Sequence, residues 1–293
     1  MLLLTGATGL VGSSLLRRLV ADGTQVRCLV RDPRRLGAQR VRVQIALGDL
    51  TDPPSFRNAL RGVRTVVHLA SSIRDQPRGS IEELDGIATW RMVEAAERAG
   101  VECFLFFSAL DASTHHRARV FRAKALAEHA VREASLRSIV FAPSLIYAPG
   151  DRLLTILERL ALLPAVPVPG RGRAACQPIW AEDVADCVIG ALRAPAPEPH
   201  ARYELAGPQT LTHNEFLHVV VRSLGKHRPL VHVPTPLVSR GLRALEAVSG
   251  PRAFATWEEA ELMQVPMVSA RGTADAEQLG VNPQPVEAVL GRG

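Results

Sequence analysis

Short apolar runs alternate with amphipathic stretches along the first 142 residues. The runs Leu2–Thr5, Gln25–Val30, Val43–Leu47, Thr65–Leu69, Glu102–Phe107 and Ser138–Ala142 have the length and composition of strands. Between them lie helical patterns, clearest at Leu10–Ala21. There Val11, Leu15, Leu16 and Leu19 share one face while Arg17 and Arg18 leave it. Two more run through Ile81–Ala99 and Arg117–Glu133. Six strands separated by crossover helices predict an α/β fold, a doubly wound parallel sheet with helices on both faces. Such sheets bind ligands at the carboxyl ends of their strands, where the winding direction switches.

Beyond residue 143 the pattern loosens. Pro143, Pro149, Pro164, Pro167 and Pro178 interrupt it before a helix at Glu182–Arg193, which follows the short run Gln177–Trp180. Pro195, Pro197 and Pro199 mark an exposed joint. A strand at Arg202–Leu205 and a helix opened by Thr212-His213-Asn214-Glu215, with capping-box spacing, come next. Apolar helical stretches near Pro236–Val248 and Trp257–Val265 complete what reads as a small C-terminal α/β cap.

The segment Thr5-Gly6-Ala7-Thr8-Gly9-Leu10-Val11-Gly12 lies between the first strand and the first helix. A tight strand-to-helix turn needs glycine, a pyrophosphate needs close backbone approach, and a helix N-terminus favours an anion. Strand, glycines, helix and second strand follow one another as a Rossmann dinucleotide site requires. Gly6, Thr8, Gly9, Leu10, Val11 and Gly12 are therefore the expected pyrophosphate contacts. The second strand ends at Val30-Arg31-Asp32, where the adenosine ribose should sit. Arg31, followed by Arg34 and Arg35, suits a 2′-phosphate, so NADP(H) is expected over NAD(H); in the competing reading Asp32 hydrogen-bonds the 2′-hydroxyl of NAD(H). Asp49 and Leu50 are placed to flank the adenine. Leu69, Ala70 and Ser71 are placed to approach the nicotinamide half. Residues 1–150, with 177–206 returning to them, are expected to form the dinucleotide-binding unit. Residues 151–176 and 207–293 are expected to form the smaller substrate-side cap.

Composition changes this picture little. Hydrophobic residues make up 47% of the 293 and charged residues 22%, an ordinary globular balance. No run of about 18 apolar residues occurs, so no membrane insertion is expected. Met1–Leu4 reads as a strand and not as a signal-peptide core, which points to the cytoplasm. The net charge of +6 rests on arginines dispersed along the chain, since Lys124 and Lys226 are the only lysines, and no nucleic-acid partner is expected. The four cysteines and nine histidines show no metal-ligand spacing; reduced, mostly buried thiols and no metal site are expected.

The glycine loop, Gly48-Asp49-Leu50, Val66-Val67-His68-Leu69-Ala70 and the run Pro143-Ser144-Leu145-Ile146-Tyr147-Ala148-Pro149-Gly150-Asp151 together resemble the extended and atypical short-chain dehydrogenase/reductase superfamily. Gln177-Pro178-Ile179-Trp180-Ala181-Glu182-Asp183-Val184-Ala185 looks most like its atypical branch, containing NmrA-like proteins and the NAD(P)H-binding subunit associated with respiratory complex I. The resemblance covers about residues 1 to 225. It places Pro143 among the cofactor contacts, and it implies a Y-x-x-x-K pair on the helix after the fifth strand. Here Val120-Phe121-Arg122-Ala123-Lys124 stands in that place. Lys124 remains for the ribose hydroxyls, but Val120 cannot transfer a proton.

Ser108 is expected to take the place of the family's serine. His115 or His116 is expected to stand in for the absent tyrosine if any side chain does. The leading expectation is an NADPH-dependent oxidoreductase acting on a small carbonyl, enone or imine-like substrate, as a monomer or homodimer. A dinucleotide-binding sensor or scaffold without turnover is the alternative. A sugar-nucleotide epimerase or dehydratase ranks third, because its oxidation step depends on a base at the tyrosine position.

Overall fold

A computed structural model describes residues 1–77, 79–194, 198–241 and 257–291. Its centre is a parallel sheet of β1 (Leu2–Thr5), β2 (Val26–Val30), β3 (Gln44–Leu47), β4 (Thr65–His68), β5 (Cys103–Phe107), β6 (Arg137–Pro143) and a later strand, His200–Leu205. Their order across the sheet is His200–Leu205, β6, β5, β4, β1, β2, β3, so the winding reverses between β1 and β4. The inner strands are buried on both faces, which explains their unbroken apolar runs. β3, at the edge, is largely exposed. The six strands expected from the apolar pattern thus gain a seventh, paired in parallel with β6 from His200↔Ser138 to Leu205↔Pro143.

Helices cover both faces. α1 (Leu10–Ala21) packs beside Ala181–Arg193, and five of their side chains tie them together, Ser14 among them through a 2.7 Å bond to Glu182. Arg17 bonds Glu182 at 2.6 Å, Arg18 bonds Asp186 at 2.5 Å, and Arg18 also pairs with Glu182. On the other face lie Ala88–Arg98 and Arg119–Glu133, α2 and α3 hereafter. The helical pattern expected from residue 81 opens with a wide π turn, Glu82–Ile87, before α2 begins. The pattern expected from Arg117 becomes helical at Arg119.

The cap side has its own apolar cluster, in which Tyr147, Leu154, Leu157, Val166, Val168, Phe216 and Val220 are buried. Thr212 caps the helix His213–Ser223 and Glu215 returns the bond, the capping box expected from the spacing. The expected proline joint falls partly on residues 195–197 and the expected helix Pro236–Val248 mostly on residues 242–256, both outside the described residues. Trp257–Leu262 is helical. Among the described residues no helix is long and apolar enough to cross a membrane, and all four cysteines are free and buried.

Candidate functional site

The turn from β1 into α1 places backbone where side chains would otherwise be. Gly6 adopts a left-handed φ of +69°, and a Cβ there would lie 2.6 Å from the Leu69 carbonyl carbon and the Ala70 nitrogen. A Cβ on Gly12 would overlap the Gly6 carbonyl oxygen. Thus β1 meets the segment after β4, and α1 presses on the turn, only because both positions are glycine. Gly9 is the N-cap of α1 and offers no side chain, so the first-turn amides of Leu10, Val11 and Gly12 are left for an external acceptor. Free amides at a helix N-terminus are the donors that an anion such as a pyrophosphate requires.

Beneath the cradle runs a buried polar chain. Thr5 Oγ1 lies 2.9 Å from His68 Nδ1, His68 Nε2 lies 3.1 Å from Thr89 Oγ1, and the Ala70 amide donates to Thr5 Oγ1 at 3.3 Å. The His68 ring is fully enclosed. Burial, aided by the charge of Lys124, lowers its pKa to about 3, so it is neutral at physiological pH. These bonds fix the ends of β1 and β4 against each other and hence set the glycine turn.

Along the rim, Arg31 lies exposed at the end of β2, its Nη1 3.4 Å from Gln76 Oε1. The neighbouring Asp32 carboxylate accepts from the Arg34 amide at 3.0 Å and caps a 3-10 turn. Asp49 follows β3, its Oδ1 accepting from the amide and hydroxyl of Thr51 at 3.1 and 2.9 Å, with Leu50 beside it. Leu69, Ala70 and Ser71 follow β4, and the Pro143 carbonyl at the end of β6 accepts from the Leu110 amide at 3.3 Å.

Lys124 projects from α3 into the interior. Its ammonium donates to the Phe107 carbonyl at 2.8 Å, pairs with Asp85 Oδ1 at 3.0 Å and sits 5.2 Å over the Phe106 ring. Asp85, from the π turn, also accepts from the Ser72 amide at 2.9 Å. One acid therefore joins the lysine to the segment after β4. Ser108 follows Phe107, its hydroxyl buried and without a hydrogen-bond partner. Val120 is buried one turn before Lys124, packed with Ile81, Ala123 and Leu262.

The two histidines separate. His115 is exposed beside Thr114. The His116 ring lies 4.5 Å from the Phe121 ring and tilted 50° to it, with Nε2 3.3 Å from Asp111 and Nδ1 accepting from the Ala118 amide.

Residue-by-residue reading missed Asp85, His68 with its two threonines, and Gln76. Asp85 left a signal. It falls four residues after Ile81 and three before Ala88, on the apolar face of its helix, where an acid is costly unless paired.

A doubly wound sheet whose order reverses beside a glycine cradle defines a Rossmann-type NAD(P)-binding protein of the short-chain dehydrogenase/reductase class. Within that class the chain belongs to the NmrA-like family, which it matches over residues 1–268. It is similar to mouse (Mus musculus) NADH dehydrogenase [ubiquinone] 1 alpha subcomplex subunit 9, mitochondrial. The two are 28% identical over 96% of this chain and 76% of the mouse protein. It is 27% identical to a ceramide reductase of Caulobacter vibrioides, over 89% of this chain and 83% of that one. Among solved structures, UDP-glucose 4-epimerase of Thermus thermophilus in complex with NAD shares the fold. Its TM-score is 0.74 at 18% identity, covering 99% of this chain and 96% of that one.

Proposed function

We propose that this chain is an NADPH-dependent reductase of a small carbonyl, enone or imine-like substrate that works without a tyrosine proton donor. Ser108 carries the reading. A buried hydroxyl left unpartnered at a strand's carboxyl end, one residue past the carbonyl that holds Lys124, is a donor waiting for an acceptor. Gly6, Thr8, Gly9, Leu10, Val11 and Gly12 would hold the pyrophosphate, with Asp49 and Leu50 beside the adenine. Leu69, Ala70, Ser71 and Pro143 would line the nicotinamide half, and the remaining N–H of Lys124 would reach the ribose. Arg31 supports NADP(H) over NAD(H), because the competing Asp32 carboxylate is turned onto its own backbone. Residues 1–150 with 177–206 form the cofactor unit in this reading, and 151–176 with 207–293 the cap.

When bound, the reduced dinucleotide would supply a hydride to the carbonyl carbon, and water would supply the proton that the oxygen takes up to give an alcohol. Ser108 would donate to that oxygen as its charge develops. Of the two histidines, His116 fits a proton-supplying role better than His115, being oriented by Asp111 and Phe121. Likeness to a ceramide reductase supports turnover. Substrate-dependent loss of NADPH absorbance across a carbonyl panel tests the reading. Ser108→Ala should lower kcat/KM by about tenfold to a hundredfold, and a panel with no turnover would overturn it.

A second reading, a dinucleotide-binding sensor or scaffold, is favoured by Val120 and by the commitment of Lys124 to Asp85. Likeness to a subunit of NADH dehydrogenase supports it. It predicts NADPH binding with no oxidation of the nucleotide.

A further inference from the structure

We propose that the ligand reduced here is apolar along most of its length, a long-chain aldehyde, ketone or enone. It would be seated in the seam between α3 and residues 262–267. This inference rests on the reductase reading and names its substrate class.

Leu262 stands at the centre of the seam. On one side it packs against Ile81, Val120 and Ala123. On the other it joins Phe121, Cys176, Val265 and Met267, where Leu110 and Leu145 also pack. Val120 is the residue that replaces the family's tyrosine, so the place beside Lys124 and Ser108 is walled by hydrocarbon from both α3 and the cap. Residues 265–269 are fixed there by their backbone. Met267 donates to the Ala175 carbonyl at 2.8 Å and accepts from Ser144 Oγ at 2.7 Å.

At the base of the seam, Ser108 leads directly into Ala109 and Leu110 and holds the unpartnered hydroxyl. One donor at the foot of an apolar wall suits one carbonyl oxygen on an apolar body.

The charges at the rim are paired. Arg119, next to Val120, bonds Asp75 at 2.9 Å and Glu82 at 2.6 Å and lies 4.0 Å from Glu258. Arg152 bonds Glu259 at 2.7 Å. A sugar nucleotide would bring a diphosphate and several hydroxyls against ion pairs that it would have to break. An alkyl chain would replace the Leu262–Val120 contact with a like one.

The test loads the protein with NADP+, which prevents turnover, and titrates a homologous series of straight-chain methyl ketones by calorimetry, with UDP-glucose for comparison. Each buried methylene contributes about 0.8 kcal/mol, so Kd should tighten about fourfold per carbon until the seam is filled. UDP-glucose should give no heat of binding. Leu262→Ser and, independently, Leu110→Ser should weaken the longest ketone about tenfold while NADP+ affinity is retained. A Kd indifferent to chain length, or UDP-glucose binding in preference, overturns the inference. Chain-length-dependent binding without NADPH oxidation in a parallel assay supports the apolar seat and instead overturns the reductase reading.

Discussion

Lys124→Met should destabilise the fold by about 3–5 kcal/mol. The ammonium and the Asp85 carboxylate lie 3.0 Å apart, their side chains 7% and 0% exposed. At an effective dielectric near 20, unit charges at that distance attract by about 5–6 kcal/mol. The cost of taking both from water is of similar size, so the intact pair adds little net stability. Removing the ammonium alone leaves Asp85 as a buried charge held only by the Ser72 amide, and frees the Phe107 carbonyl. Replacing both, Asp85→Leu with Lys124→Met, removes the stranded charge. Stability should then return to within about 1–2 kcal/mol of the parent, the residual being the lost bonds to the Ser72 amide and the Phe107 carbonyl. Urea unfolding followed by far-UV circular dichroism measures all three proteins, provided the m-value is unchanged. A loss below about 1 kcal/mol for Lys124→Met, or a double variant as unstable as the sum of the singles, would show that Asp85 is not left as a costly unpaired charge.

His68 titrates in the folded state at about 3, below the value near 6.5 of an exposed histidine. The unfolded chain then binds the extra proton between those values, so stability should fall as pH drops through that window, by about 2 kcal/mol at pH 5. Denaturation at pH 7 and 5 checks this, and His68→Asn should flatten the slope. Gly12→Ala should lose NADPH binding and destabilise the fold by about 1–3 kcal/mol, because its methyl would overlap the Gly6 carbonyl; unchanged binding and midpoint would contradict the packing described. Thr212→Ala should cost about 1 kcal/mol by chemical denaturation through loss of the capping box, with no effect on NADPH affinity.

The central sheet could be read from the chain because strands buried on both faces need continuous apolar runs, and β1, β5 and β6 have them. The glycine turn was equally legible, since no residue with a Cβ allows such backbone approach at positions 6 and 12. Short pairings were not. Ala175–Cys176 against Leu211–Thr212 involves two residues a side, and its partners lie far apart in sequence. The π turn at Glu82–Ile87 was hidden because it continues the apolar face of the helix it opens, and that obscured the pairing of Asp85 with Lys124. Pattern also could not separate His115 from His116. Adjacent on a loop, they differ only in that the ring of His116 falls over Phe121 and beside Asp111.

The central claim, a dinucleotide held on the β1–α1 turn with its 2′-phosphate at Arg31, is tested most directly by titrating NADPH and NADH into the parent and Arg31→Ala proteins, following nicotinamide fluorescence. The parent should bind both saturably, NADPH more tightly. Arg31→Ala should weaken NADPH by about tenfold to a hundredfold, as loss of a charge-assisted bond implies, and leave NADH unchanged. Failure of the folded parent protein to bind either nucleotide would contradict the claim.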